Sequence, residues 1–147
     1  MRHGFLTLGF SDDGDGTGTL DVEAEVDGFS GRSHAYFNKD EISRFAEALS
    51  QYPLPPDQGC SLTGGFGESR GRPAQEHVGI DVYPVNRRGY IGIQVRMATA
   101  VWSETRPESQ RIAQLEIVTT YEPLNKFSKD LLALLSGTVS EATLEGD

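Results

Sequence analysis

The sequence predicts a single α+β domain over residues 1–147: a meander-like antiparallel sheet of about six to eight strands, with two helices packed on one face. Three observations lead there. A chain of 147 residues has the length of one ordinary domain and needs no staple to close its core. Several segments alternate apolar and polar residues with a period of two, the mark of a sheet with one dry face and one wet face. Two other segments space their apolar residues three and four apart, which makes two amphipathic rods able to cover the dry face.

The strands come first. Gly4–Phe10 reads as extended, and Leu20, Val22, Ala24 and Val26 alternate with Asp21, Glu23, Glu25 and Asp27. Gly31–Phe37 is expected to pair back on this strand across a Gly28–Ser30 turn. The first helix comes next, from Lys39 to about Gln51. Asn38 is an N-cap residue, Glu41 stands where it closes a capping box, and Phe37 with Ile42 makes a hydrophobic staple. Ile42, Phe45, Ala46 and Leu49 form its stripe, and Pro53, Pro55 and Pro56 end it.

Pro53–Gln75 reads as a loop, with a short strand near Ser61–Leu62. Val78, Ile80 and Val82 then alternate with His77, Gly79, Asp81 and Tyr83, and Asn86–Gly89 makes a tight connection. Ile91, Ile93, Val95 and Met97 alternate with Tyr90, Gly92, Gln94 and Arg96, and Ala113, Leu115 and Ile117 alternate with Gln114, Glu116 and Val118. Thr99–Gln110 lies between these two strands, long for a hairpin unless the strand before it runs on. The second helix begins near Thr120, tolerates Pro123 in its first turn, carries a stripe of Leu124, Phe127, Leu131 and Leu134 or Leu135, and meets a C′ glycine at Gly137.

Asn38–Leu49 and Thr120–Leu131 align as NKDEISRFAEAL and TYEPLNKFSKDL, matching Ile42 with Leu124, Phe45 with Phe127 and Leu49 with Leu131. The match is short, and it suggests strands followed by a helix, twice.

Charge narrows the function classes. Thirteen basic against twenty-two acidic residues give a formal net charge of −9, which opposes nucleic acid and anionic membranes. No stretch has the 18 consecutive apolar residues of a membrane span, and the first residues lack the apolar core of a secretory signal. One cysteine, Cys60, leaves no intrachain disulfide and fits a reducing compartment, so the expected location is the cytoplasm.

No stretch carries a catalytic or metal-binding signature. Ser11–Gly18 (SDDGDGTG) resembles a calcium loop, but counting from Asp13 or Ser11 puts Ala24 or Val22 where the bidentate glutamate belongs, so it reads as a turn. Gly64–Arg72 is glycine-rich without a phosphate-binding pattern. His3, His34 and His77 are far apart in sequence, and no serine sits in a nucleophile elbow. His77 and Asp81 are expected on one sheet face, separated by roughly 13 Å along the strand. No cofactor is expected.

Two features qualify as partner-binding candidates. Asp21, Glu23, Glu25 and Asp27 put carboxylates on one strand face at steps of roughly 7 Å, a negative ridge suited to a basic protein. The plainer readings are compensation by Arg32 or Arg96 across the strand, or protection of an edge strand. The second feature is Trp102, the sole tryptophan, with Arg106 four residues on; both residue types are common interface anchors. Core closure by Trp102, with Arg106 stacked on it, is the alternative. If the preceding strand continues, Trp102 points outward with Gln94 and Arg96.

The segments DVEAEVDGFSGRSHAYFNKDEISRFAEALSQYPL, GIDVYPVNRRGYIGIQVRMATAVW and LEIVTTYEPLNKFSKDLLALLSG resemble a group of uncharacterised bacterial proteins, itself more distantly similar to the WapI-type immunity proteins. The likeness spans roughly Gly18–Leu144 and consists of a charged strand, a Ser-Gly turn, an aromatic strand end and an F-x-x-x-L helix. It implies a small non-enzymatic α+β protein that binds another protein, as an immunity protein binds a toxin domain; it carries over no functional residues. Two other classes stand beside this expectation: a structural homo-oligomer joined through Trp102 or an open sheet edge, and a small-ligand protein or enzyme with a pocket lined by His77, Asp81 and Arg96.

Overall fold

The computed structural model describes residues 4–55, 60–67 and 73–146. The elements run β1 (Phe5–Asp12), β2 (Thr17–Val26), β3 (Phe29–Asn38), α1 (Lys39–Leu49), β4 (Cys60–Phe66), β5 (Gln75–Pro84), β6 (Tyr90–Ala98), β7 (Ile112–Thr120), α2 (Tyr121–Leu135) and β8 (Ala142–Glu145). A short 3-10 turn, Pro107–Ser109, sits in the loop before β7. The α+β class, the antiparallel strands and the two helices are as expected. The eight strands form two sheets of four, ordered β3-β2-β1-β8 and β4-β5-β6-β7, where one meander was expected.

The strand after each helix crosses to the other sheet. β4 comes after α1 but joins the second sheet beside β5, and β8 comes after α2 but joins the first sheet beside β1. Each half is therefore three strands, a helix and a strand, and the halves exchange their last strands. Leu62 and Leu144 occupy equivalent places, opposite Ile80 and Leu6. The helices meet at matching positions: Ser128 donates its hydroxyl to the Ala46 carbonyl oxygen at 2.5 Å, across a separation of 82 residues. That is also the offset at which the two helix sequences align, so the pseudo-twofold axis passes between Ala46 and Ser128.

The alternation predicted for the strands builds one interior. Val22, Ile80, Ile93 and Leu115 are all buried, and the helix stripes, Ile42, Phe45, Ala46 and Leu49 with Leu124, Phe127, Leu131, Leu134 and Leu135, are buried with them. β3 lies against all four strands of the second sheet and locks the two sheets together. Small residues make this close approach possible: a Cβ on Gly31 would meet Ala113 and the Met97 side chain, and one on Gly64 would meet Phe37 and Ala35.

Local differences from expectation have simple causes. The β2–β3 turn is Asp27–Gly28, both at positive φ (52° and 86°), so the connection is a two-residue hairpin and β3 starts earlier than expected. The first helix ends at Leu49, with Ser50 as its C-cap, and Glu41 accepts from the Asn38 backbone N–H at 3.1 Å. The strand expected near Ser61–Leu62 is seven residues long. β6 stops at Ala98, and the Thr99–Gln110 loop is closed at its neck by the Thr99 N–H bonding the Arg111 carbonyl at 3.0 Å. Residues 68–72 of the glycine-rich stretch, and Pro56, lie outside the described residues.

Candidate functional site

The outward side chains of the first sheet form rows across its strands. Pairing places Gly9 beside Asp21 and Asp21 beside His34, while Leu8 pairs with Ala142 and so brings Glu141 level with Gly9. One row therefore reads Glu141, Gly9, Asp21, His34. The next holds Thr7, Glu23 and Arg32; on the other side stand Thr19 and Tyr36. These residues line a groove of ≈ 720 Å³ that crosses the strands and ends against Phe66, His77 and Trp102.

Two features shape this groove. At Gly9 there is no side chain, and the nearest atom to a Cβ placed there is the Asp21 Cβ at 4.0 Å, so the floor is open. At the far end the aromatic wall is built in contact: the Phe66 and Trp102 rings are 4.8 Å apart, and Phe66 meets the His77 ring edge-on at 4.4 Å. Trp102 keeps 59% of its surface exposed although its ring is seated on Phe66. The Gln75 side chain holds the base of this loop, donating to the Val101 carbonyl at 3.1 Å and accepting from the Val101 N–H at 2.8 Å. Gln75 also hydrogen-bonds His77, so strand β5 positions the wall.

The carboxylates are not equivalent. Glu23 is paired with Arg32 at 3.1 Å, the compensation foreseen from sequence, and Glu25 also has a partner. Asp27 belongs to the hairpin turn, so the ridge on β2 is Asp21, Glu23 and Glu25. β2 is flanked by β1 and β3, so its charges do not guard an edge. Asp21 and Glu141 are exposed, and their side chains form no hydrogen bond or ion pair among the described residues.

Arg106 does not join the groove. It precedes the 3-10 turn and pairs with Glu108 at 3.5 Å in the open. The pocket imagined from His77, Asp81 and Arg96 does not form either. A bulge opposite Gly64–Gly65 places Glu76, and not His77, with Asp81 around Arg96 on the outer face of the second sheet. Those two carboxylates raise the Arg96 pKa, while burial and then the nearby His34 lower that of His77. Asp12 and Asp15, in the stretch resembling a calcium loop, are engaged with Lys39 and Thr17, and among the described residues no cluster could hold a metal ion.

Of the residues that line the groove, the sequence singled out Asp21, Glu23 and Trp102 but not Gly9, Phe66 and Glu141, and it marked His34 only as one of three separated histidines. The signal for Gly9 was present, since a glycine inside the alternating run LTLGF marks a gap or a close approach. Glu141 could not be placed, because β8 reaches β1 across nearly the whole chain. What the fold and the groove define is an α+β protein with a charged and aromatic surface cleft. The chain matches no family model, no curated protein and no solved structure. No helix among the described residues is long and apolar enough to cross a membrane.

Proposed function

We propose that the protein is a non-enzymatic, cytoplasmic binding protein that docks a basic partner protein on the outer face of its first sheet, in the manner of an immunity protein occluding a toxin domain. The observation that carries this reading is the convergence of both interface candidates, the β2 carboxylates and Trp102, on one groove. Acidic groups steer and select a basic partner, and an exposed aromatic ring held by its neighbours supplies the anchor. The resemblance of the sequence to immunity proteins supports the same class of role.

The test is capture from a lysate of the source organism, read by mass spectrometry with three baits. Wild type is expected to retain a basic protein that Asp21→Lys/Glu23→Lys loses, while Glu122→Lys on α2, which does not line the groove, retains it. Equal capture by all three baits removes the groove from the function. A homo-oligomeric role is the second reading, favoured by Phe29 and Ile112, 75% and 71% exposed at the starts of edge strands β3 and β7. Light scattering decides it, since a monomer at high concentration excludes that role.

A further inference from the structure

The pseudo-twofold lets each half serve as a control for the other. Matching the paired strands places Tyr83 and Gly92 of the second sheet where Gly9 and Asp21 stand in the first. In the second sheet the position is filled: a Cβ on Gly92 would run into the Tyr83 ring, and the Tyr83 hydroxyl donates to Glu116. The arginine of that face, Arg96, is held by Glu76 at 2.8 Å and by Asp81 at 2.5 Å. In the first sheet the equivalent place is empty at Gly9, and the two carboxylates beside it, Asp21 and Glu141, have no partner among the described residues. One half holds its own guanidinium and covers its glycine; the other offers an open floor and two carboxylates that no described residue engages.

We infer that the groove of the first sheet receives an arginine side chain of the partner, its guanidinium lying over Gly9 between Asp21 and Glu141. Charge complementarity selects the occupant: among the described residues lining the groove, the carboxylates Asp21, Glu23 and Glu141 outnumber Arg32, which Glu23 already neutralises. Asp21 on β2 and Glu141, the residue just before β8, flank β1 on its two sides, so their backbones stand roughly 10 Å apart, enough for a planar guanidinium to reach both. A guanidinium fits better than an ammonium because its planar fork of donors reaches carboxylates on both sides at once. The inference rests on the groove being the partner-binding face and adds what that face recognises.

Trp102 is the only tryptophan, so intrinsic fluorescence reports on the groove directly. The probes are the acetylated, amidated peptide Gly-Arg-Gly-Arg-Gly and the same peptide with citrulline, which keeps the shape of arginine but not its charge. The arginine peptide is expected to change the Trp102 emission saturably, with the citrulline peptide weaker by about tenfold or more. Gly9→Val fills the floor without altering charge, at a site where φ is ordinary for any residue, and Asp21→Asn/Glu141→Gln removes the charge without altering shape. Each is expected to weaken the arginine peptide about tenfold while leaving the thermal midpoint within a few degrees. No saturable response to the arginine peptide, or equal binding of the citrulline peptide, overturns the inference. So does arginine-peptide binding that survives both variants; if isothermal titration calorimetry, which needs no tryptophan, then shows that Trp102→Ala abolishes it, the groove stands as the docking face and only the guanidinium slot is lost.

Discussion

His77 shows how a single residue can be read from sequence for its type but not for its place. Alternation along β5 puts it outward with Asp81, whereas the bulge opposite Gly64–Gly65 turns it into the wall of the groove, only 4% exposed. A bulge depends on two strands at once, so neither strand alone declares it. The consequence is titratable. Burial, and secondarily His34, lower the His77 pKa from its ordinary 6.5, so the neutral ring is the form that suits the folded state. The unfolded chain then takes up the proton first: stability is full above about pH 6.5 and falls as the pH drops from there toward the lowered folded-state value. Urea unfolding across pH 7.5 to about 5 should show this loss in wild type, and His77→Gln should flatten that part of the curve. An unchanged slope in the variant would assign the loss to other groups.

At the scale of elements, the helices were the most legible part of the sequence, because caps and stripes are local. Asn38, Glu41 and the Ile42–Leu49 stripe fixed α1 to within two residues of its end, and Gly137, at φ 80°, is the C′ residue expected after α2. The repeat between the helices was visible too, as the alignment that pairs Phe45 with Phe127. What it could not reveal is that Ala46 and Ser128, equivalent under that alignment, touch each other at the helix crossing. The small side chains there set the approach of α1 and α2. Ala46→Leu is accordingly expected to destabilise by about 1–3 kcal/mol through overpacking, measurable by chemical unfolding. The same substitution at Ala133, half-buried on α2, should cost much less; equal effects would mean that the crossing is not tightly packed. β8 illustrates the opposite limit. Its four residues pair with β1 from the other end of the chain, and so short a run carries no local signature of its neighbour.

For the molecule as a whole, the predicted interior was right and the predicted partition was incomplete. Alternation correctly put Val22, Ile80, Ile93 and Leu115 inside and Glu23 and Glu25 outside. The division into two sheets, with β4 and β8 exchanged between them, is a long-range choice that periodicity does not encode. That choice is also what makes the groove. β8 brings Glu141 to one end, β3 carries His34 across, and the second sheet supplies Phe66, His77 and Trp102 as the wall. The acidic strand and the tryptophan were each singled out from sequence, but their meeting depends on the docking of two sheets.

The most direct measurement is amide chemical-shift mapping of the isotopically labelled protein titrated with the acetylated Gly-Arg-Gly-Arg-Gly amide. The groove predicts shifts confined to Thr7–Gly9, Thr19–Glu23, Arg32–Tyr36, Gly65–Phe66, His77, Ala98–Trp102 and Ser140–Glu141. Shifts gathered instead around Asp81 and Arg96, along the exposed sides of α1 and α2, or nowhere at all would contradict the claim that this face binds the partner.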